Sequence, residues 1–86
     1  MPQPRKSAFE SPYIEIVEQL IARRMELGMT QTELGVAYGE DQSFVSRVER
    51  RQRRIDVYEF VRFCAVLGIA PSQLLDPLYE AEKQLR

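Results

Sequence analysis

The chain has 86 residues, 44% of them hydrophobic and 29% charged, so it has room for one small globular domain and is too apolar to be disordered. It has no histidine and a single cysteine, Cys64, which excludes a disulfide within the chain and removes the commonest general base and zinc ligands. The net charge of −1 by itself weighs against a nucleic-acid partner. We therefore expect no catalytic residue, no metal and no cofactor.

The first ten residues contain two prolines and are predicted to form a loosely ordered N-terminal arm. The basic residues at its start are not followed by an apolar region, so no secretory signal is expected. Ser11 and Pro12 then provide an N-cap and a first-turn proline, and Gly28 is placed to end a helix over about residues 12–28. Its apolar positions recur at helical spacing: Ile14, Val17, Ile21 and Met25.

Two short helices follow. Thr30 and Glu33 form a capping box, in which each side chain accepts a hydrogen bond from a backbone N–H group, and Gly39 is placed to end this second helix after Tyr38. Asp41 can cap a third helix after a very short turn. Val45 and Val48 would form the apolar side of this third helix.

A fourth helix is predicted from a second capping box, Asp56 with Glu59, to Gly68. Pro71 suits the first turn of a fifth helix, which is predicted to end before Pro77. Leu74 and Leu75 would contribute to the core. The tail from Leu78 to Arg86 is rich in helix-forming residues, and no segment has the alternating pattern of a strand. The sequence thus predicts an all-α fold.

The charge is distributed unevenly along the chain. Residues 47–54 contain five arginines and one glutamate, a local charge of +4, so the remainder carries −5. A local excess of this kind reports a basic surface that the net charge conceals.

Residues 31–50 resemble the helix-turn-helix of the phage repressor and Cro-like (XRE) family of transcription regulators. The resemblance extends over about residues 14–76 and includes the segments around the motif. Within the motif it rests on a glutamine, on small residues and on apolar residues at the family's spacing: Gln31, Leu34, Gly35, Gly39, Val45 and Val48. It implies a compact five-helix, lambda-repressor-like DNA-binding domain whose helices 2 and 3 form the helix-turn-helix. Gly35 would let the backbone of helix 3 approach, and Gly39 would supply the positive φ of the turn.

The third helix is expected to enter the major groove of double-stranded DNA. At 100° per residue from Val45, the side chain of Glu49 turns inward, whereas four polar side chains turn outward or lie in the first turn. We expect these four to face the bases: Gln42, Ser43, Ser46 and Arg47. Phe44 stands where the family often has a small hydroxyl residue, and it could contact a thymine methyl group, lie against the sugar-phosphate backbone, or pack.

The resemblance implies phosphate contacts at the start of helix 2 and after helix 3, from Gln31, Thr32, Arg50, Arg51, Arg53 and Arg54. It also implies a structural ion pair between Arg24 and Glu49. Arg51 stands where the family usually has glycine, so helix 3 could be longer than in the family or end differently.

These features predict a cytoplasmic, bacterial or phage-encoded protein, associated with the nucleoid rather than a membrane. It would be a sequence-specific transcriptional regulator, most simply a repressor, that binds a two-fold symmetric operator as a homodimer. Residues 11–76 would bind DNA, and residues 77–86 would contribute a dimer contact. The alternatives are an antitoxin with a protein partner, a restriction-modification controller of the same fold, or a protein-interaction module that has lost DNA binding.

Overall fold

The computed structural model describes the backbone of residues 3–84 and the side chains of residues 12–84. Five helices follow one another: α1 (Gln3–Glu26), α2 (Gln31–Tyr38), α3 (Gln42–Glu49), α4 (Val57–Leu67) and α5 (Pro71–Lys83). The part of the chain that is described contains no strand, and none of its helices has the length and apolarity needed to cross a bilayer. The prediction of an all-α, five-helix fold is confirmed.

Helix α1 is longer than predicted. It begins at Gln3 and not near Pro12, so the segment expected as a loosely ordered arm is helical from residue 3 onward. Pro4 falls in the first turn, where the helix needs no N–H donor, and Pro12 removes one hydrogen bond from a helix of 24 residues without ending it. Residues 1 and 2 of the predicted arm lie outside the described part of the chain.

Ser11 lies within α1 and is not the predicted N-cap, whereas the two predicted capping boxes are confirmed. At the start of α2, the Thr30 hydroxyl accepts from the Glu33 N–H at 3.0 Å, and the Glu33 carboxylate accepts from the Thr30 N–H at 2.8 Å. Asp56 and Glu59 form the same reciprocal pair at the start of α4, at 2.8 and 3.0 Å. These boxes satisfy N–H groups that have no partner within a helix, and so they fix where α2 and α4 begin.

Four of the helices end in the same way, with a left-handed residue just after the last turn. Three of these residues are glycines, Gly28, Gly39 and Gly68. The fourth, after α3, is Arg51, with φ of 61°. The Arg51 N–H donates to the Val48 carbonyl and the Gln52 N–H to the Arg47 carbonyl, at 3.0 and 2.8 Å, which is the Schellman pattern. Helix α3 therefore ends where a glycine would end it.

The core lies between α2, α3 and α4, with α1 and α5 packed around it. The side chains of Val45 and Cys64 are completely buried. The rings of Tyr38 and Phe63 are 4.5 Å apart between centroids. Burial raises the pKa of the Cys64 thiol, so this cysteine is a small apolar core residue.

Helix α5 corrects a second boundary. The sequence predicted an end before Pro77, but α5 continues through Pro77 to Lys83. Proline at this position removes the hydrogen bond to the carbonyl of Gln73, and because Gln73 is exposed, water can bond that carbonyl instead. Most of the segment expected as a separate tail is thus the second half of α5, and Leu85 lies outside the described residues.

Candidate nucleic-acid interface

The turn between α2 and α3 is held close to α2 by a glycine. A β-carbon on Gly35 would lie 2.9 Å from the carbonyl carbon and oxygen of Asp41 and 3.2 Å from the Glu40 oxygen. The sequence predicted that the backbone of the third helix would approach Gly35. The backbone that does so belongs to the turn and to the N-cap residue Asp41, immediately before α3. Gly39 supplies the left-handed φ of 99° that reverses the chain. Together these glycines fix the angle at which α3 leaves the body of the domain.

One side of α3 is buried and the other is exposed. Phe44, Val45 and Val48 are buried in the core. Ser43 and Arg47 are exposed, as predicted from the helical spacing, and Gln42 is exposed in the first turn. Ser46, also predicted to face outward, is half-buried. A short helix thus presents an amide, a hydroxyl and a guanidinium group along one exposed side.

The acid closest to this side is used as a cap. The Asp41 carboxylate accepts from the Phe44 N–H at 2.9 Å and from the Ser43 hydroxyl at 3.3 Å. The hydrogen bond from the Phe44 N–H is the largest cause that holds the pKa of Asp41 below its ordinary value of 3.8. The hydrogen bond from Ser43 and the positive charge of Arg47 lower this pKa further. Asp41 is therefore ionised at neutral pH, with its charge placed at the N-terminus of α3.

An ion pair with little exposed surface joins α3 to α1. The Arg24 Nε atom lies 2.7 Å from Glu49 Oε2, and Arg24 Nη2 lies 3.0 Å from Glu49 Oε1. The two side chains are 12% and 11% exposed, and Arg24 also donates to the Met29 carbonyl at 2.8 Å. These contacts give Arg24 and Glu49 the paired arrangement that the resemblance implies. Because both charges are nearly buried, removing either partner would leave an unpaired charge inside the domain.

Two glutamines extend this pair to the exposed start of α3. Gln31 Nε2 donates to Glu49 Oε1 at 2.8 Å, and Gln42 Nε2 donates to Gln31 Oε1 at 2.7 Å. Sequence reasoning did not find these bonds, because they join side chains on different helices. Thr32 is exposed beside Gln31, where the first N–H groups of α2 have no carbonyl within the helix to bond. Gln31 and Thr32 are thus placed at a helix N-terminus that favours an anion.

The arginines after α3 differ from one another. Arg50, Arg51 and Arg54 are exposed. Arg54 lies over the ring of Tyr13, with its guanidinium carbon 4.3 Å from the ring centroid, and the Tyr13 hydroxyl accepts from the Ile55 N–H at 3.3 Å. The helix α1 therefore holds the loop that carries Arg54.

Arg53, also expected to contact a phosphate, is paired with an acid of the domain. Its two terminal nitrogens donate to the two carboxylate oxygens of Glu59, each at 3.0 Å, and its guanidinium lies 4.8 Å from the centroid of Phe44. This pairing raises the pKa of Arg53 and lowers that of Glu59. This pairing holds the loop against α4 and leaves 38% of the Arg53 side chain exposed.

Phe44 packs in the core, which decides among its three expected roles. The side chain is 5% exposed, and its ring lies 5.2 Å from Tyr38 and 6.1 Å from Phe63 between centroids. An aromatic ring buried in this way is not available to a thymine methyl group or a sugar.

The tight turn between α2 and α3 and the exposed side of α3 define a helix-turn-helix DNA-binding domain. A solved structure, the "XRE-family like protein from Pseudomonas syringae pv. tomato str. DC3000", is similar to this chain with a TM-score of 0.79 and 37% identity, over 91% of this chain and 95% of that one. The HTH_3 family, described as "Helix-turn-helix", matches residues 20–74, and the chain belongs to this family as an XRE-type member.

A curated relative from Neisseria meningitidis serogroup B (strain ATCC BAA-335 / MC58) is named "Neisseria hypothetical transcription factor". It is 38% identical over 60 residues, which cover 70% of this chain. The match spans only 57% of the relative's own length.

Proposed function

We propose that the protein is a sequence-specific DNA-binding transcriptional repressor that inserts α3 into the major groove of a two-fold symmetric operator. The observation that carries the proposal is the exposed side of α3, where Gln42, Ser43 and Arg47 lie between the α2 N-terminus and three exposed arginines. This order places groups that read bases between groups that attract phosphates. The role is one of binding and not of catalysis.

Each exposed side chain has a contact for which its chemistry is suited. Arg47 can donate two hydrogen bonds to the O6 and N7 atoms of guanine, and Gln42 can bond the N6 and N7 atoms of adenine. Ser43 discriminates less between bases, and Ser46, half-buried, reaches them less well than the other three. Gln31, Thr32, Arg50, Arg51 and Arg54 would contact phosphates.

We further propose that the protein acts as a homodimer through α4 and α5. Val57, Val61 and Tyr79 are 81%, 44% and 63% exposed, which is high for apolar side chains. Val57 and the partly exposed Leu75 line an apolar cavity of about 170 Å³ beside Phe60. An exposed apolar surface of this kind favours a protein contact, and two copies related by a two-fold axis would present two α3 helices to the two halves of an operator.

The test is a selection of binding sequences from random duplex DNA at low salt. We expect one enriched motif with two-fold symmetry, and sedimentation should show a dimer on it. The variant Arg47→Ala should weaken specific binding by about 1–3 kcal/mol and relax a single base position in each half-site. If no motif is enriched by the unmodified protein, the proposed function is wrong; a motif without symmetry rejects the homodimer alone.

A further inference from the structure

The hydrogen bonds that join Arg24, Glu49, Gln31 and Gln42 converge on the Glu49 carboxylate. Glu49 accepts from Arg24 and from Gln31, and Gln31 in turn accepts from Gln42. The acceptor at the buried end is a carboxylate, and the last donor is an exposed amide in the first turn of α3. We call these four residues, Arg24, Glu49, Gln31 and Gln42, the amide relay.

The direction of the relay follows from the chemistry of its buried end. An amide has a donating NH₂ group and an accepting oxygen, and by itself it can turn either one toward a neighbour. A carboxylate paired with arginine can only accept, so Gln31 must turn its NH₂ group toward Glu49. With the NH₂ group held there, the Gln31 oxygen is the atom that faces Gln42, at 2.7 Å, and Gln42 turns its own NH₂ group toward that oxygen. The orientation of the exposed amide is thus imposed by the nearly buried carboxylate.

The orientation determines what Gln42 offers to DNA. With one N–H bonded to Gln31, Gln42 presents its oxygen as an acceptor and its second N–H as a donor. Adenine offers a matching pair in the major groove, the N6 donor and the N7 acceptor, whereas guanine offers two acceptors, O6 and N7. If the amide were reversed, its free NH₂ group would supply two donors and would suit guanine.

We propose that Glu49 is a positioning residue that makes Gln42 select adenine over guanine, acting through Gln31. The inference rests on the proposed function, because it concerns how α3 reads a base. It assigns to the pair of Arg24 and Glu49 a part in specificity in addition to joining α1 to α3. The base position in question is the one whose preference disappears in Gln42→Ala.

The first experiment measures the ratio of affinities for adenine and guanine at that position. The unmodified protein should prefer adenine by roughly 5- to 150-fold, the range of one good bidentate contact. Glu49→Gln frees the relay to adopt either direction, and the ratio should fall at least threefold. Gln31→Met should lower it similarly while the ion pair of Arg24 and Glu49 stays in place. This second variant keeps the test decisive if Glu49→Gln fails to fold.

A double-mutant cycle separates positioning from a general structural effect. In the Gln42→Ala background, Gln31→Met should leave the adenine-to-guanine ratio at that position unchanged. In the matched Arg47→Ala background, which keeps Gln42, the same substitution should lower the ratio as it does in the unmodified protein. Equal effects in both backgrounds would mean that the relay acts on the whole helix and would overturn the inference.

A measurement on the free protein tests the relay without DNA. In nitrogen-15 NMR spectra, one side-chain N–H of Gln42 should be shifted downfield by its bond to Gln31, and the shift should be lost in Gln31→Met. A Gln42 amide with the same shifts in both proteins overturns the relay. An enriched motif whose adenine preference survives Gln31→Met rejects the inference and leaves the proposed function standing. Failure to enrich any motif rejects both.

Discussion

Replacing Arg51 with glycine should stabilise the domain. Arg51 closes α3 in the left-handed conformation, with φ of 61°, and the two hydrogen bonds of the Schellman pattern hold it there. For a residue with a β-carbon this conformation costs roughly 1–2 kcal/mol, and glycine avoids that cost. Glycine loses about 0.5–1 kcal/mol more conformational entropy when the chain folds. The difference predicts a gain of about 0.5–1 kcal/mol for Arg51→Gly.

The matched control is Arg51→Ala, which removes the same charge and keeps the β-carbon. Urea unfolding should give a higher unfolding free energy for the glycine variant than for the alanine variant. Its Tm should be higher by about 2–8 °C, the shift expected for this size of domain. A glycine variant no more stable than the alanine variant would show that the left-handed residue stores no strain, and the reasoning would be refuted.

The same two variants separate stability from charge in DNA binding. Arg51 is exposed, and both substitutions remove its guanidinium group. If Arg51 contacts a phosphate, each variant should reduce the slope of log affinity against log salt by about 0.9 per protomer. We expect equal reductions in the two variants, despite their different stabilities.

Three further outcomes are expected. Gly35→Ala should lower the unfolding free energy by roughly 1–3 kcal/mol, because its β-carbon would lie 2.9 Å from the Asp41 backbone; an unchanged Tm would contradict this. Arg53 holds the pKa of Glu59 below its ordinary 4.5, so this carboxylate adds stability above that pH and loses it as the pH falls through the lowered folded-state pKa. Urea unfolding at about pH 6 and pH 3 should therefore show a smaller loss of stability in Glu59→Gln than in the unmodified protein. Arg54→Ala should reduce the salt dependence of DNA binding by about 0.9 per protomer, whereas Arg53→Ala should mainly lower Tm; an equal reduction of the salt dependence in Arg53→Ala would show that Arg53 contacts a phosphate as well.

The sequence predicted the parts of the fold that depend on neighbouring residues. Thr30 with Glu33 and Asp56 with Glu59 each lie three residues apart, and the hydrogen bonds of a capping box need nothing else. The helical spacing around Val45 likewise placed Val48 on the buried side of α3 and Ser43 and Arg47 on the exposed side, although it did not decide the burial of Phe44. The two wrong boundaries both involve proline, at the start of α1 and within α5, because a proline lowers the stability of a helix without deciding by itself whether the helix ends there.

The contacts that sequence reasoning missed join side chains brought together by packing. Gln31 and Gln42 are 11 residues apart on different helices, and nothing in their spacing indicates a hydrogen bond. For Arg53 a signal existed: Glu59 is the third residue of α4, and its carboxylate, turned back to cap Asp56, also faces the loop that carries Arg53. An acid at the start of one helix is thus a candidate partner for a base in the loop that precedes it.

The basic run has the same charge in the structure as in the sequence, but different residues provide it. The formal charges of residues 47–54 add up to +4, a sum that includes the negative charge of Glu49 and the positive charge of Arg53. Glu49 is neutralised by Arg24 and Arg53 by Glu59, both partners lying outside the run. The charge of the run that these two ion pairs do not balance therefore comes from Arg47, Arg50, Arg51 and Arg54. Because an acid and a base are both removed, a surface of +4 remains on a chain whose net charge is −1, and the attraction to DNA would act where α3 ends and not over the whole molecule.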